Sequence, residues 1–143
     1  MGRPRPRPKR RMGQVARKEG QLRREWYGNG KLKSVGRYAG RKRTGPWKFF
    51  HRDGKLWASG RFDDGVLTGL WSWYAGNGLL RQTGRFTEGK QDGVWKRYFG
   101  GTRQLYDVGS FVFGRKVGVW RIFNRDGSLK RRQDFGDPRR RKR

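Results

Sequence analysis

Few residues in this chain have the types and neighbours that perform covalent chemistry. Its one histidine, His51, stands just before an Asp-Gly turn signal, at a position where the next repeat has Ala75, so it reads as a tolerated strand residue rather than a general base. The serines Ser34, Ser59, Ser72, Ser110 and Ser128 lack the Gly-x-Ser-x-Gly context that exposes a nucleophile on a strand-to-helix turn. Asp63-Asp64 and Glu88 offer carboxylates, but too few to surround a cation. The chain has no cysteine, which excludes disulfides, thiolate zinc sites, iron–sulfur clusters and thiol nucleophiles. Its glycines do not form a phosphate-binding loop ahead of a helix. No catalytic residue, metal, cofactor or small-molecule substrate is expected.

Binding chemistry is better represented. Phe50, Trp57, Tyr74, Tyr98 and Phe123 are interleaved with Lys48, Arg52, Lys55, Arg61, Lys96, Arg97 and Arg121. Rings stack on bases while cations hold phosphates, so this mixture suits nucleic acid. It also suits an anionic membrane surface or a protein partner. The candidate sheet-face set is Lys48, Phe50, Arg52, Trp57, Arg61, Tyr74, Tyr98 and Phe123. A second set lies at the termini: Arg3, Arg5, Arg7, Lys9, Arg10 and Arg11, then Arg139, Arg140, Arg141, Lys142 and Arg143. Such runs track phosphates with a steep salt dependence, and in a nucleated cell they also resemble import signals.

Composition divides the chain. Over 143 residues, 38 Lys and Arg stand against 11 Asp and Glu, a net charge of +27. That charge concerns partners: it attracts polyanions. Leu, Ile, Val and Phe make up roughly 19% of the chain, and with this charge they would indicate disorder, were it not for 7 Trp, 9 Phe and 5 Tyr. Residues 1–24 open with Arg3-Pro4-Arg5-Pro6-Arg7-Pro8 and read as a disordered or extended basic arm, with a short helical turn around Gln14–Glu19. Residues 137–143 read as a second basic tail. No apolar run approaches a membrane span, and no apolar segment follows the basic N-terminus as a secretory signal requires. The expectation is a soluble intracellular, cytoplasmic protein.

Residues 25–136 repeat. Gly45-Pro46-Trp47, Gly69-Leu70-Trp71, Gly93-Val94-Trp95 and Gly118-Val119-Trp120 recur at near-constant spacing. Seven residues after three of these tryptophans comes Gly54, Gly78 or Gly127, preceded by Asp53, Asn77 or Asp126. A leucine follows two residues later, then a glycine (Gly60, Gly84) or, in the last copy, Gln133, then Phe62, Phe86 or Phe135. One extra residue enters near Gly100–Gly101. A first, incomplete copy runs through Trp26, Asn29-Gly30, Leu32, Gly36 and Tyr38. The units are 25–44, 45–68, 69–92, 93–117 and 118–136.

Each unit reads as one β-hairpin, with Asp-Gly or Asn-Gly as a two-residue turn at positive φ. If Asp53-Gly54 is the loop, Trp47 faces Gly60, Phe49 faces Ala58 and His51 faces Leu56. Alternation then places Trp47, Phe49, Leu56, Ala58, Gly60 and Phe62 on one face, and Lys48, Phe50, Arg52, Lys55, Trp57 and Arg61 on the other. The facing glycine leaves room for the indole. Trp47, Trp71, Trp95 and Trp120 are read as packing residues, and Gly54, Gly78 and Gly127 as turn residues. One hairpin is marginal alone, and stacked hairpins stabilise one another. The expected fold is all-β: an elongated, single-layer antiparallel sheet of about five hairpins, roughly 45 Å long, with edges at Trp26 and Phe135 open to end-to-end pairing.

The pattern Gly-x-Trp-x-x-Tyr/Phe, Asp/Asn-Gly-x-Leu, Gly-x-Phe/Tyr resembles the MORN repeat (membrane occupation and recognition nexus). It is closest to the bacterial MORN variant of YwqK-like proteins, which are described as antitoxin-like. The resemblance covers about residues 25–136. It implies a single-layer β-hairpin array and a binding or scaffold role, without catalysis. Three roles follow: a scaffold binding a polyanion such as RNA or DNA, an antitoxin-like module neutralising a protein, and a peripheral scaffold on anionic membrane. The positive charge disfavours a nuclease as the protein partner, because nucleases present basic surfaces of their own.

Overall fold

The computed structural model describes residues 20–137. They form ten strands: β1 (Gln21–Trp26), β2 (Leu32–Ala39), β3 (Lys42–Phe50), β4 (Leu56–Asp63), β5 (Val66–Tyr74), β6 (Leu80–Thr87), β7 (Lys90–Tyr98), β8 (Leu105–Val112), β9 (Arg115–Phe123) and β10 (Leu129–Asp134). The strands pair antiparallel in chain order within one sheet, so every strand ladder is with the preceding or following element. The all-β, single-layer expectation holds. The arm boundary drawn from composition after residue 24 moves: Gln21–Arg24 pair with Val35–Tyr38 in β1. The helical turn expected around Gln14–Glu19 lies outside the described residues.

Two kinds of turn alternate along the sheet. At the Asp-Gly and Asn-Gly sites the loop has three residues, not two. The Gly54 amide donates to the His51 carbonyl, and the His51 amide donates to the Lys55 carbonyl. Gly54 has a φ of 95°, whereas Asp53 is not at positive φ. This is a type I turn closed by a left-handed glycine. Asp53 serves it through its side chain, accepting from the Lys55 amide at 2.9 Å. Asn29, Asn77 and Asp126 do the same for Lys31, Leu79 and Ser128. The expected pairing of His51 with Leu56 therefore fails: Phe50 pairs with Leu56, and Trp57 becomes a bulged residue.

The two-residue turns lie in the links between units. Asp63 pairs with Val66, leaving Asp64 (φ 51°) and Gly65 (φ 84°) as a type I′ pair. Glu88-Gly89 and Phe113-Gly114 repeat it, both residues at positive φ. Asp64 and Glu88 are thus turn residues, and Asp63 is the last paired residue of β4.

The Gly-x-Trp motif is a wide bulge. Val35 pairs with Lys48 and Arg37 with Thr44, so the single residue Gly36 stands against Gly45, Pro46 and Trp47. Gly45 bends the strand at a φ of 69°. The bulge frees the Arg37 carbonyl, and the Trp47 indole Nε1–H donates to it at 3.0 Å. Trp71, Trp95 and Trp120 bond Arg61, Arg85 and Ser110 in the same way. The indole lies over the glycine of the preceding strand, which corrects the expected direction. Trp47 is in register with Gly60, but its ring covers Gly36, and that of Trp71 covers Gly60. A methyl group added at Gly60 would overlap the Trp71 ring.

The core is a single row of rings along this face. Phe49 stacks between Trp47 and Trp71, at 5.7 and 6.3 Å between centroids. Trp73 lies between Trp71 and Trp95, at 5.7 and 6.0 Å. Tyr38, Phe62, Phe86 and Phe111 each meet the next tryptophan edge-on at 5.2 Å. Trp47 and Trp95 are each 1% exposed, full burial without a second layer. Cations close the ends of the row: Arg43 lies over Trp47 and Lys116 over Trp120.

The row is interrupted at its third interval. Arg97 stands where Phe49 and Trp73 stand in earlier units, and it binds Asp107 with two hydrogen bonds of 3.0 and 2.6 Å. Asp107 is 3% exposed. The hydrogen bond and charge of Asp107 hold the Arg97 pKa above its ordinary value despite desolvation.

The outermost strands lack the lock of Trp over Gly. By register, Arg23 of β1 occupies the tryptophan position, facing Gly36 as Trp47 faces Gly60. In β10, Gln133 pairs with Trp120 where the earlier units have glycine. Phe135 continues past β10, its amide donating to the Gly118 carbonyl.

Candidate nucleic-acid interface

The second face is assembled by the same register. One cross-strand line runs across the whole sheet: Arg24, Val35, Lys48, Ser59, Ser72, Thr83, Lys96, Val108, Arg121 and Arg132, each paired with the next. None is a carboxylate, and five are cations. The Ser72 and Thr83 hydroxyls bond at 3.0 Å in its middle. Most acidic residues lie in turns or near strand ends; Asp92 pairs with Arg85 and Asp63 lines a cleft with Arg61 on this face, and Asp107 is buried on the opposite one. Two ion pairs form among the described residues, Lys42–Asp64 at 3.7 Å and Arg97–Asp107. The described residues hold 25 of the 38 basic residues and 10 of the 11 acidic ones, so most of these cations keep their charge uncompensated.

Two residues further along the odd strands lies a line of aromatics. Trp26, Phe50, Tyr74, Tyr98 and Phe123 pair with Leu32, Leu56, Leu80, Leu105 and Leu129. The last four rings are half-buried and Trp26 is exposed. On the other side of the cation line, Arg37, Arg61 and Arg85 alternate with Pro46, Leu70 and Val94. Arg37 and Arg61 flank a cleft of about 590 Å³ with Thr44 and Thr68 in its wall.

Of the candidate sheet-face residues, Lys48, Phe50, Arg61, Tyr74, Tyr98 and Phe123 share this face. Two do not. The bulge turns Trp57 toward the tryptophan face, where its ring meets Phe49 at 6.2 Å and His51 at 6.5 Å. Arg52 sits in a turn, its guanidinium 5.1 Å above the Tyr27 ring. Arg97, expected among the second-face cations, belongs to the tryptophan face beside Trp95. His51 bonds the Tyr74 carbonyl at 3.4 Å, a structural contact. The terminal cations Arg3, Arg5, Arg7, Lys9, Arg10, Arg11, Arg139, Arg140, Arg141, Lys142 and Arg143 lie outside the described residues. Arg37, Arg85 and the cation line were missed from sequence; a signal was present, because Arg follows the strand glycine at Gly36, Gly60 and Gly84.

Among the described residues no cluster of three or more His, Cys, Asp or Glu has the arrangement of a metal site, and no helix is long and apolar enough to cross a membrane. Comparison with protein families matches residues 43–64 to the MORN repeat variant. Those residues are the β3–β4 hairpin with its Gly-x-Trp bulge, and the following units repeat its register. Comparison with curated proteins found no match. The match suggests a repeat-based binding or scaffold module.

Proposed function

We propose that this chain is a non-catalytic intracellular scaffold that binds a polyanion, nucleic acid before any other, through its second face and its terminal basic runs. The observation that carries this reading is the cross-sheet line. An open face has five cations in one row, no carboxylate in that row, and rings beside it. Phosphate contacts release counterions, so affinity falls steeply with salt. The test is the affinity of the full chain for an RNA or DNA oligonucleotide across a salt series. A steep slope is expected, shallower but retained after removal of residues 1–19 and 138–143. Affinity that does not change from low to moderate salt would reject the reading.

A second reading is an antitoxin-like module of the bacterial YwqK type that occupies a protein partner. The exposed aliphatic positions Leu22, Leu70, Val94 and Val119 favour it, being 47–57% exposed. Recovery of the tagged protein from its own cell extract separates the two readings. One stoichiometric protein that survives nuclease treatment supports the second; nucleic acid whose removal empties the complex supports the first. Flotation with anionic but not neutral vesicles would favour membrane attachment instead.

A further inference from the structure

The odd strands carry the same dyad on the second face: Arg24-x-Trp26, Lys48-x-Phe50, Ser72-x-Tyr74, Lys96-x-Tyr98 and Arg121-x-Phe123. In four of the five, the first member is a cation. Its partner is always an aromatic, backed by a leucine on the next strand. Within a dyad the two residues are about 7 Å apart along the strand, and successive dyads are about 9.6 Å apart across it. The buried aromatic cluster lies on the opposite face, and the rings of these dyads remain partly or fully exposed on the open one.

From this we infer that the five dyads form a track for single-stranded nucleic acid, laid across the strands along the long axis of the sheet. Each cation takes a phosphate, and the ring two residues on receives an unpaired base. Rings on an open sheet face reach bases only when those bases are splayed out, as in other sheet-based RNA readers. A duplex keeps its base faces stacked inside and offers this track phosphates alone. Every base has a ring face, so the track is tolerant of sequence. Ser72 is the one interruption, and it stands in the middle.

This inference rests on the polyanion reading, and the experiment separates their failures. Labelled oligouridylate and oligoadenylate of about 4 to 16 nucleotides, a duplex of matched length, and heparin are titrated with the full chain. The salt is set where duplex binding has been weakened. Single strands are expected to bind more tightly than the duplex, with affinity rising as length increases. Tyr74→Leu with Tyr98→Leu should lower single-strand affinity roughly fivefold or more and leave heparin binding unchanged. Tyr98→Phe should retain it. Thermal unfolding of the leucine variants checks that they fold. Ser72→Lys, which copies the residue at Lys48 and Lys96, completes the row and should raise single-strand affinity. Equal affinity for single strand and duplex, or leucine variants that bind single strands like the parent, would overturn the track. Heparin binding by the parent would still support the polyanion reading, and its absence would remove both.

Discussion

The two faces of this sheet are made by the same strands and follow opposite rules. On the tryptophan face every position is geometrically determined: indole over glycine, indole N–H on the carbonyl freed by the bulge, ring against ring. On the second face the side chains share a register but change identity from strand to strand, Lys48 to Ser72 to Lys96 to Arg121. A single-layer sheet has no second layer to bury its apolar groups. It places its stability on one side, which leaves the other available for a partner. Arg97–Asp107 shows the rule bending, since an ion pair with one buried member stands where the earlier units place a ring.

The sharpest way to break the contrast is to remove a ring. Trp71→Ala should cost about 3–5 kcal/mol in chemical denaturation, because Trp71 contacts both Phe49 and Trp73. A loss below about 1 kcal/mol would mean that the row is not the core. Gly60→Ala should cost about 1–3 kcal/mol through overlap with the Trp71 ring, in a strand where alanine would otherwise be harmless. Asp107→Asn should follow at about 1–2 kcal/mol, less than a fully buried pair because the Arg97 side chain is 45% exposed. Replacing Asp107 by Val together with Arg97 by Phe should recover that loss, since it restores the stack of the earlier units. On the second face, the triple change of Lys48, Lys96 and Arg121 to Gln should barely move the unfolding midpoint. It should reduce the salt slope of nucleic-acid binding by about 3. A large loss of stability with an unchanged slope would invert the assignment of the faces.

The smallest effect is in the last turn. The Ser128 hydroxyl and then its amide hold the Asp126 carboxyl below its ordinary value. That stabilisation is complete above the ordinary carboxylate range and is lost as pH falls through the lowered value. The protection factors of the Gly127 and Ser128 amides, measured against intrinsic exchange at each pH, should therefore fall in acid, and should already be low in Asp126→Ala at neutral pH.

Much of this was legible in the residues. The Gly-x-Trp spacing marks the units, and alternation correctly pairs Trp47 with Gly60 and Phe49 with Ala58. The turns were misread because Asp-Gly is compatible both with a two-residue loop at positive φ and with a type I turn whose aspartate acts through its side chain. One residue of difference there displaced His51 and turned Trp57 across the sheet. The type I′ links carry Glu88 and Phe113 at positive φ, residues that do not announce such a turn. Arg97 was assigned to the wrong face even though it stands two residues after Trp95, where Phe49 and Trp73 stand after theirs. Its charge pointed to solvent, and the buried partner that reverses this, Asp107, is ten residues away.

The residues at the two ends carry a further consequence. An additional strand in the same geometry would need a glycine on β10 to accept its indole, and Gln133 fills that place; β1 would need an indole to offer, and Arg23 has none. The array therefore behaves as a ruler with stops at both ends. Its length is counted in units of about 24 residues. Duplicating an internal unit such as 69–92 would lengthen it by two strands, whereas duplicating a terminal one would add nothing that fits.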